Sequence, residues 1–526
     1  MKNILLLIIL PVVFTLYSFA QKNAEGPNYN YSLADPSYVY LLNSLTMSEF
    51  ESSGHTDHPG TPLQITGAVI LKSYFAFFHE KDNIAEDVIY RPESYLRVLD
   101  HTLIVFNALG LFLAGLLIFK IYKIETAAMI FQTLPFVSIS LLEVYSLVKP
   151  ENIAFFLILL QIVLIMKYVY DLNSSGKNYY IYISGLLCGI ILSLKISFLC
   201  IIILPLIIFP GIRQKAVFTG SVILVFVVSI FPVISNMEYF ISWVSDLFLH
   251  SGRYGTGEST IINSNDFFKN ILKIISNEKY YIITYLFIIS VIIFLKFKKK
   301  DNDQTVSPKE KKLCTALFIA MSLQIILVAK HYSSRYMFPA LILSVPALFV
   351  SANIYYRIYL SKYGAKFLYT GLLSFLLLFG FYNCRKQLAK SNYLNSECLK
   401  ITDYINTNYK DASVVLSPGV TSESAALLFA YYYTPEVSRP ELKKLISQRF
   451  PDIVWYDVFN NMLFTFEGEF DTDNLTVSGK PYIYRTSDEN YNNAFIKNYE
   501  KLYNTNNIKL TKLFSNENGE LIYKIE

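Results

Sequence analysis

Apolar runs long enough to cross a bilayer recur through most of this chain, and no other feature constrains its fold as strongly. They fall at 4–20, 101–120, 125–145, 152–170, 179–197, 198–212, 216–235, 280–297, 312–330, 335–356 and 366–384, about eleven in all. Inside hydrocarbon a backbone must bond to itself, which a helix of roughly 17–25 residues does. The chain therefore reads as an all-α polytopic membrane protein. Of its 526 residues, 53% are hydrophobic and 17% charged, which leaves too little polar surface for a water-soluble fold. The runs at 179–197 and 198–212 are nearly continuous, and the second is short.

Orientation follows from the basic residues, because loops that retain excess Lys and Arg stay cytoplasmic. Such loops hold Lys120 and Lys123, then Lys167 and Lys177, then Arg213 and Lys215, then Lys296 through Lys312, then Arg357, Lys362 and Lys366. They alternate along the whole chain, placing the N-terminus inside and putting 21–100, 236–279 and everything after Arg385 outside. Residues 4–20 follow Lys2 and end in Ser18-Phe19-Ala20, which also fits a signal-peptidase site. We read this segment as a retained first span; cleavage would leave the downstream topology unchanged.

From 385 to 526 spanning runs cease. The β-rich stretches 412–417, 452–457 and 481–485 alternate with helical patterns near 394–409 and 438–449, so a small α/β extracytoplasmic domain follows a transmembrane domain of residues 1–384. The lysines sit in short loops rather than in a stripe with interleaved aromatics, which excludes nucleic acid as a partner. Five cysteines occur singly, with neither CxxC nor zinc-ligand spacing. Cys384 and Cys398 pair only if the fold brings them together, and otherwise remain thiols.

Polar chemistry collects on the outer face. All six histidines (His55, His58, His79, His101, His250 and His331) lie in outer loops or at outer span ends, although longer loops collect polar residues for that reason alone. The first outer loop opens with Ala34-Asp35-Pro36-Ser37-Tyr38. There Asp35 suits a general base, or equally the cap of a helix opened by Pro36. Further on, Gly54-His55-Thr56-Asp57-His58-Pro59-Gly60-Thr61-Pro62 reads as a sharp turn entering a helix along the membrane surface. Such a turn aims Asp57 and His58, or is architecture alone.

Cationic residues recur at the same level. Lys149-Pro150-Glu151 forms a tight hairpin whose charges either pair at the surface or face a cavity, and Lys195, within an apolar run, must snorkel or meet an anion. His250, Arg253 and Tyr254 lie in a glycine-rich stretch that lets backbone amides approach a phosphate, though without P-loop spacing. Lys330, His331, Arg335 and Tyr336 crowd another outer hairpin, where they suit a phosphate headgroup or are snorkelling span ends.

The stretches ADPSYVYLL, GHTDHPGTPLQ, HSGRYGTG and KHYSSRYMFPAL, set in this layout, resemble the GT-C superfamily of membrane glycosyltransferases, nearest its protein O-mannosyltransferase and aminoarabinose transferase branches. The resemblance implies a GT-C-like fold and inverting transfer of a sugar from a polyprenyl-phosphate donor to a lipid, glycan or protein acceptor. An acid of the first outer loop is the implied base, which falls on Asp35. Here Pro36 stands where a second carboxylate is common, which leaves Asp57 as the alternative acid. No cofactor is demanded; a divalent metal ion is compatible with the reading, with its ligands not legible, and membrane lipids are further partners. Abundant Lys, Asn, Ile and Tyr fit an AT-rich genome and so a bacterial plasma (inner) membrane. An O-antigen-type polymerase, a transporter or flippase of lipid-linked saccharides, and a non-catalytic assembly protein are the competing readings.

Overall fold

The computed structural model describes residues 2–31, 37–56, 60–171, 177–250, 259–260, 263–297, 306–360, 364–417, 419–451, 453–457, 462–465, 468–469, 482–503 and 508–526. They group into two compact units. One comprises 1–20, 56–63 and 100–387, the other 21–55, 64–99 and 388–526.

Eight helices of the described residues are long and apolar enough to cross a membrane: Ile4–Glu25, Pro92–Tyr122, Pro150–Tyr170, Ile212–Ile234, Lys279–Phe297, Pro308–Lys330, Ser334–Tyr359 and Ala365–Asn408. The other three apolar runs are shorter or broken helices. The run 125–145 divides into Glu125–Gln132, the turn Leu134–Phe136 and Ile139–Leu142, because Pro135 has no N–H to donate and Ser138 caps a fresh helix start, accepting the Ser140 N–H at 3.1 Å. The stretch 179–212 yields Tyr179–Leu194 and Ile196–Ile208, parted at Lys195, whose backbone is extended.

Within the first unit, Ser334–Tyr359 is the central helix, with 89% of its apolar window enclosed by protein. Close approach elsewhere depends on small residues. A β-carbon on Gly115 would stand 2.4 Å from the Gln132 amide, which donates to the carbonyls of Leu7 and Leu111 at 2.8 and 3.2 Å. The Ser307-Pro308-Lys309-Glu310 start of another span forms a reciprocal cap: the Ser307 hydroxyl takes the Glu310 N–H and the Glu310 carboxylate takes that of Ser307. Arg357 pairs with the same carboxylate.

The second unit is built on a seven-stranded sheet: β1 (Ser413–Leu416), β2 (Ile453–Asp457), β3 (Met462–Thr465), β4 (Gly468–Glu469), β5 (Tyr482–Thr486), β6 (Leu510–Ser515) and β7 (Leu521–Ile525), in the order β4-β3-β2-β1-β5-β7-β6. Strand β1 runs parallel to β2 and β5, and the outer pairs are antiparallel. Side chains alternate across it. Val415, Val454, Tyr456, Tyr484 and Tyr523 pack on one face with Phe495 and Tyr499, while Ile483 and Ile522 meet Ile401 on the other. The Tyr484 and Phe495 rings stack at 4.0 Å.

Three of the expected β-rich stretches are β1, β2 and β5, and the pattern at 438–449 is the helix Arg439–Arg449. The helical pattern at 394–409 instead ends the 44-residue helix Ala365–Asn408, which runs on past 384. Cys384 and Cys398 sit fourteen residues apart along it as free thiols.

The grouping also departs from a division at 384, since most of the first outer loop belongs with the tail. The helix Arg439–Arg449 packs on Ile84–Tyr90, and Glu423–Tyr432 on Ser37–Ser48. Arg449 ties them, pairing with Glu423 at 2.6 Å and donating to the carbonyl of Ile89. Gly54 lies against the backbone of Tyr433 to Pro435, where a β-carbon would come within 2.5 Å. The His55 ring stands edge-on to Tyr40 and Tyr433 at 5.4 and 5.3 Å.

Arg485, at the end of β5, holds Glu520 at 2.6 Å and the Thr421 carbonyl at 2.8 Å, with both charged side chains buried. Removing one partner of such a pair strands the other charge. Arg485→Ala should therefore destabilise this unit by about 3–5 kcal/mol, read as lost protease resistance of 388–526 in membranes. Adding Glu520→Ala should restore part of it.

Candidate active site

The first unit gathers charge where two helices are interrupted. Lys149 precedes the helix Pro150–Tyr170 with extended backbone, Pro150 fills its first position, and Glu151 lies in its first turn, where the helix dipole favours an acid. Lys195 ends Tyr179–Leu194, a position that favours a cation, and the chain continues as the 3-10 turn Ile196–Ile202. The opposite ends meet: Lys195 Nζ lies 2.6 Å from Glu151 Oε1, with side chains 1% and 3% exposed.

Tyr336 extends the cluster. It belongs to the 3-10 turn Ser334–Met337, held by the Gln324 amide donating to its carbonyl at 2.7 Å. Its ring lies 5.0 Å from Lys195 Nζ, 5.3 Å from the Arg335 guanidinium and 6.1 Å from the His331 ring. Both cations thus lie over the Tyr336 ring. Arg335, His331 and Tyr336 are half-buried while Lys195 is enclosed, so the cluster grades from a closed ion pair to an open cationic rim. Such a rim offers charge-assisted donors to an anion, with the buried pair fixing Lys195 behind it.

Not every expected residue joins this cluster. Lys330 donates to the carbonyls of Leu247 and Phe248 at 2.7 and 2.8 Å, closing the helix Met237–Leu249, while His250 approaches Asp246 at 3.5 Å. Asp35, Asp57, His58, Arg253 and Tyr254 lie outside the described residues. Tyr38 is in the second unit, fully buried, donating to Glu93 at 2.8 Å.

Sequence reasoning passes over two carboxylates. Glu93 accepts the Asn28 backbone N–H at 2.9 Å and the Asn28 amide at 3.2 Å besides Tyr38, and so ties residues on both sides of 32–36. Burial, followed by the charges of Glu93 and Glu423, pushes the Tyr38 hydroxyl well above its usual range. In the sequence Arg91-Pro92-Glu93 signals only a helix start. Glu278, buried at the head of Lys279–Phe297, accepts the Ser140 hydroxyl at 2.6 Å and that of Ser138 at 3.3 Å. No sequence pattern marks it. Among the described residues, no group of three or more His, Cys, Asp or Glu is placed to hold a metal ion.

Sequence comparison finds no matching family model and no matching curated protein. The fold has solved counterparts. ArnT from Cupriavidus metallidurans in the apo state aligns with a TM-score of 0.52 at 9% identity, over 98% of this chain and 97% of that one. The same protein bound to undecaprenyl phosphate aligns at 0.49 with 10% identity and the same coverage. The oligosaccharyltransferase of Archaeoglobus fulgidus in complex with Zn and sulfate gives 0.45 at 13% identity, over 86% of this chain and 68% of that one. What this chain shares with apo ArnT is the fold.

Lys195→Ala should remove the cation that faces the buried Glu151 carboxylate at 2.6 Å and cost about 3–5 kcal/mol. The double variant Glu151→Gln/Lys195→Met should recover folding, measured as detergent-solubilised monodisperse yield and thermal midpoint; a double variant no more stable than Lys195→Ala would show that the pair is not what the bundle depends on.

Proposed function

We propose that this chain is a GT-C-type glycosyltransferase that moves a sugar from a polyprenyl-phosphate-linked donor to a lipid, glycan or protein acceptor on the extracytoplasmic face of a bacterial inner membrane. The observation that carries this reading is the joining of Glu151, Lys195, Tyr336 and Arg335 at helix interruptions within a GT-C-like fold. A donor whose lipid stays in the bilayer presents its phosphate at headgroup level. The departing phosphate gains negative charge as the glycosidic bond breaks, so cations fixed beforehand stabilise the transition state more than the ground state.

Arg335 and His331 form the accessible part of this stabilising set, and Lys195 supplies charge from behind Tyr336. Lys149, His250, Arg253, Tyr254 and Lys330 belong to the same proposed phosphate-binding face. Asp35 is the proposed base, taking the acceptor's proton as its oxygen or nitrogen attacks the anomeric carbon from the side opposite the phosphate, which inverts that centre. Asp57, beside His58, is the alternative base. A divalent metal ion would serve as a further electrostatic clamp on the phosphate, with its ligands in this chain unassigned.

Purified protein in nanodiscs, supplied with polyprenyl-phosphate sugars and membrane extract as acceptor, should transfer labelled sugar. Asp35→Ala should lower kcat by at least 100-fold with little change in donor KM, and Arg335→Ala should lower kcat and kcat/KM for the donor about tenfold. Full activity in both variants would refute the site assignment. In intact cells, a cysteine appended after Glu526 should react with a membrane-impermeant maleimide, whereas Asp303→Cys should stay unlabelled.

A further inference from the structure

Asn277 and Glu278 are neighbours in sequence, yet each holds a different chain segment. Glu278 ends the helix Ser264–Asn277 by donating its backbone N–H to Ile274 at 2.9 Å, and its carbonyl takes the Ile282 N–H of the following span at 3.0 Å. Its side chain receives the hydroxyls of Ser138 and Ser140. The segment so held caps the short helix Ile139–Leu142 and runs on to Lys149 and Glu151. The Asn277 amide donates instead to the Tyr332 hydroxyl at 3.0 Å, in the hairpin that carries His331, Arg335 and Tyr336. One turn pair earlier on the same helix, Asn270 donates to the Ala329 carbonyl at 3.1 Å, where the helix Pro308–Lys330 ends.

We infer that the Asn277–Glu278 junction is a positioning bracket, which sets the spacing between the two segments that supply the phosphate-facing residues, one ending in Lys149 and Glu151 and the other running from Lys330 to Tyr336. The inference rests on the donor site proposed above. Neither residue touches the reacting atoms in this role. Their effect is on how well Lys195 and Arg335 converge on the Tyr336 ring, since Lys195 is tied to the first segment through Glu151 and Arg335 belongs to the second. A phosphate needs its donors prearranged, and a slack bracket weakens binding without altering any group that meets the ligand.

The bracket has a built-in proton dependence. Burial pushes the Glu278 carboxyl up to about 7 against the pull of the Ser140 and Ser138 hydroxyls, with the nearby Glu143 charge adding to the rise. Tyr332, whose hydroxyl faces the same junction, is itself raised by burial and stays neutral there, and Lys279 follows Glu278 as the first residue of the span. Because the folded-state value lies above the ordinary carboxyl value, the stability Glu278 contributes is fully present below about pH 4.5 and is lost as pH rises through about 7. Above that point a buried carboxylate with no salt bridge to a cation among the described residues strains the junction.

The test uses the full chain in nanodiscs and two readouts. First, the Kd for a polyprenyl monophosphate is measured from pH 6 to 8.5 for wild type, Glu278→Gln and Asn277→Ala. Wild type should bind roughly three- to fivefold more weakly at pH 8 than Glu278→Gln, whose amide cannot ionise, and comparison at matched pH cancels titration of the probe. Asn277→Ala should weaken binding about fivefold at every pH. Parallel pH profiles for wild type and Glu278→Gln would overturn the inference. Second, hydrogen exchange is followed in 139–149 and in 331–337 for Glu278→Ala and Asn277→Ala separately. Faster exchange in both segments in each variant supports the bracket, and a rise confined to the segment each residue touches overturns it. If wild type binds no polyprenyl phosphate, the donor-site reading fails, while the exchange data still decide whether the junction couples the two segments.

Discussion

A lysine enclosed inside an apolar helix bundle is the constraint on which the first unit turns. Desolvating an ammonium costs several kcal/mol even after relaxation, so Lys195 is tolerated only because a carboxylate and an aromatic face are waiting for it. Those partners in turn require a particular backbone. The helix Tyr179–Leu194 must stop where it does, with its C-terminus turned toward the first turn of Pro150–Tyr170. Ser334–Met337 must form a tight turn that lays the Tyr336 ring alongside. The apparent defects of the bundle, two interrupted helices and a 3-10 start, are what a buried cation demands.

Much of this was legible in the amino-acid order. Eight of the apolar runs are spanning helices because hydrocarbon permits few alternatives to a long helix, and β1, β2 and β5 appear where β-branched and aromatic residues cluster. Lys195 and the Lys330 to Tyr336 hairpin stood out for a similar reason, since charge beside an apolar run is expensive unless something answers it. That Lys195 is answered by Glu151, forty-four residues earlier, was not legible, because the hairpin Lys149-Pro150-Glu151 reads equally well as a surface pair.

The features that escaped are those whose meaning lies wholly in tertiary contact. Glu93 follows a proline and looks like an ordinary first-turn acid, yet it gathers donors from Asn28 and Tyr38. Glu278 looks like a charge marking the edge of a span, yet it is buried against two serines that are 138 and 140 residues away in the chain. Likewise, the change in composition after 384 does not announce that residues 21–55 and 64–99 share a compact unit with 388–526. Arg449, Gly54 and His55 bind the first outer loop to the tail through contacts that no local pattern announces.

That union has a consequence for how the protein is made. Residues 64–99 leave the ribosome about 290 residues before 388, where the tail's share of the same unit begins, an interval of roughly 15–60 s at ordinary rates of synthesis. Throughout it, the helices Ser37–Ser48 and Ile84–Tyr90 have emerged without the surfaces that Glu423–Tyr432 and Arg439–Arg449 will later cover. The second unit is therefore assembled last and from both ends of the chain. A ribosome that stalls anywhere among the intervening spans leaves behind an inserted bundle whose second unit is unfinished, a substrate for quality-control proteases.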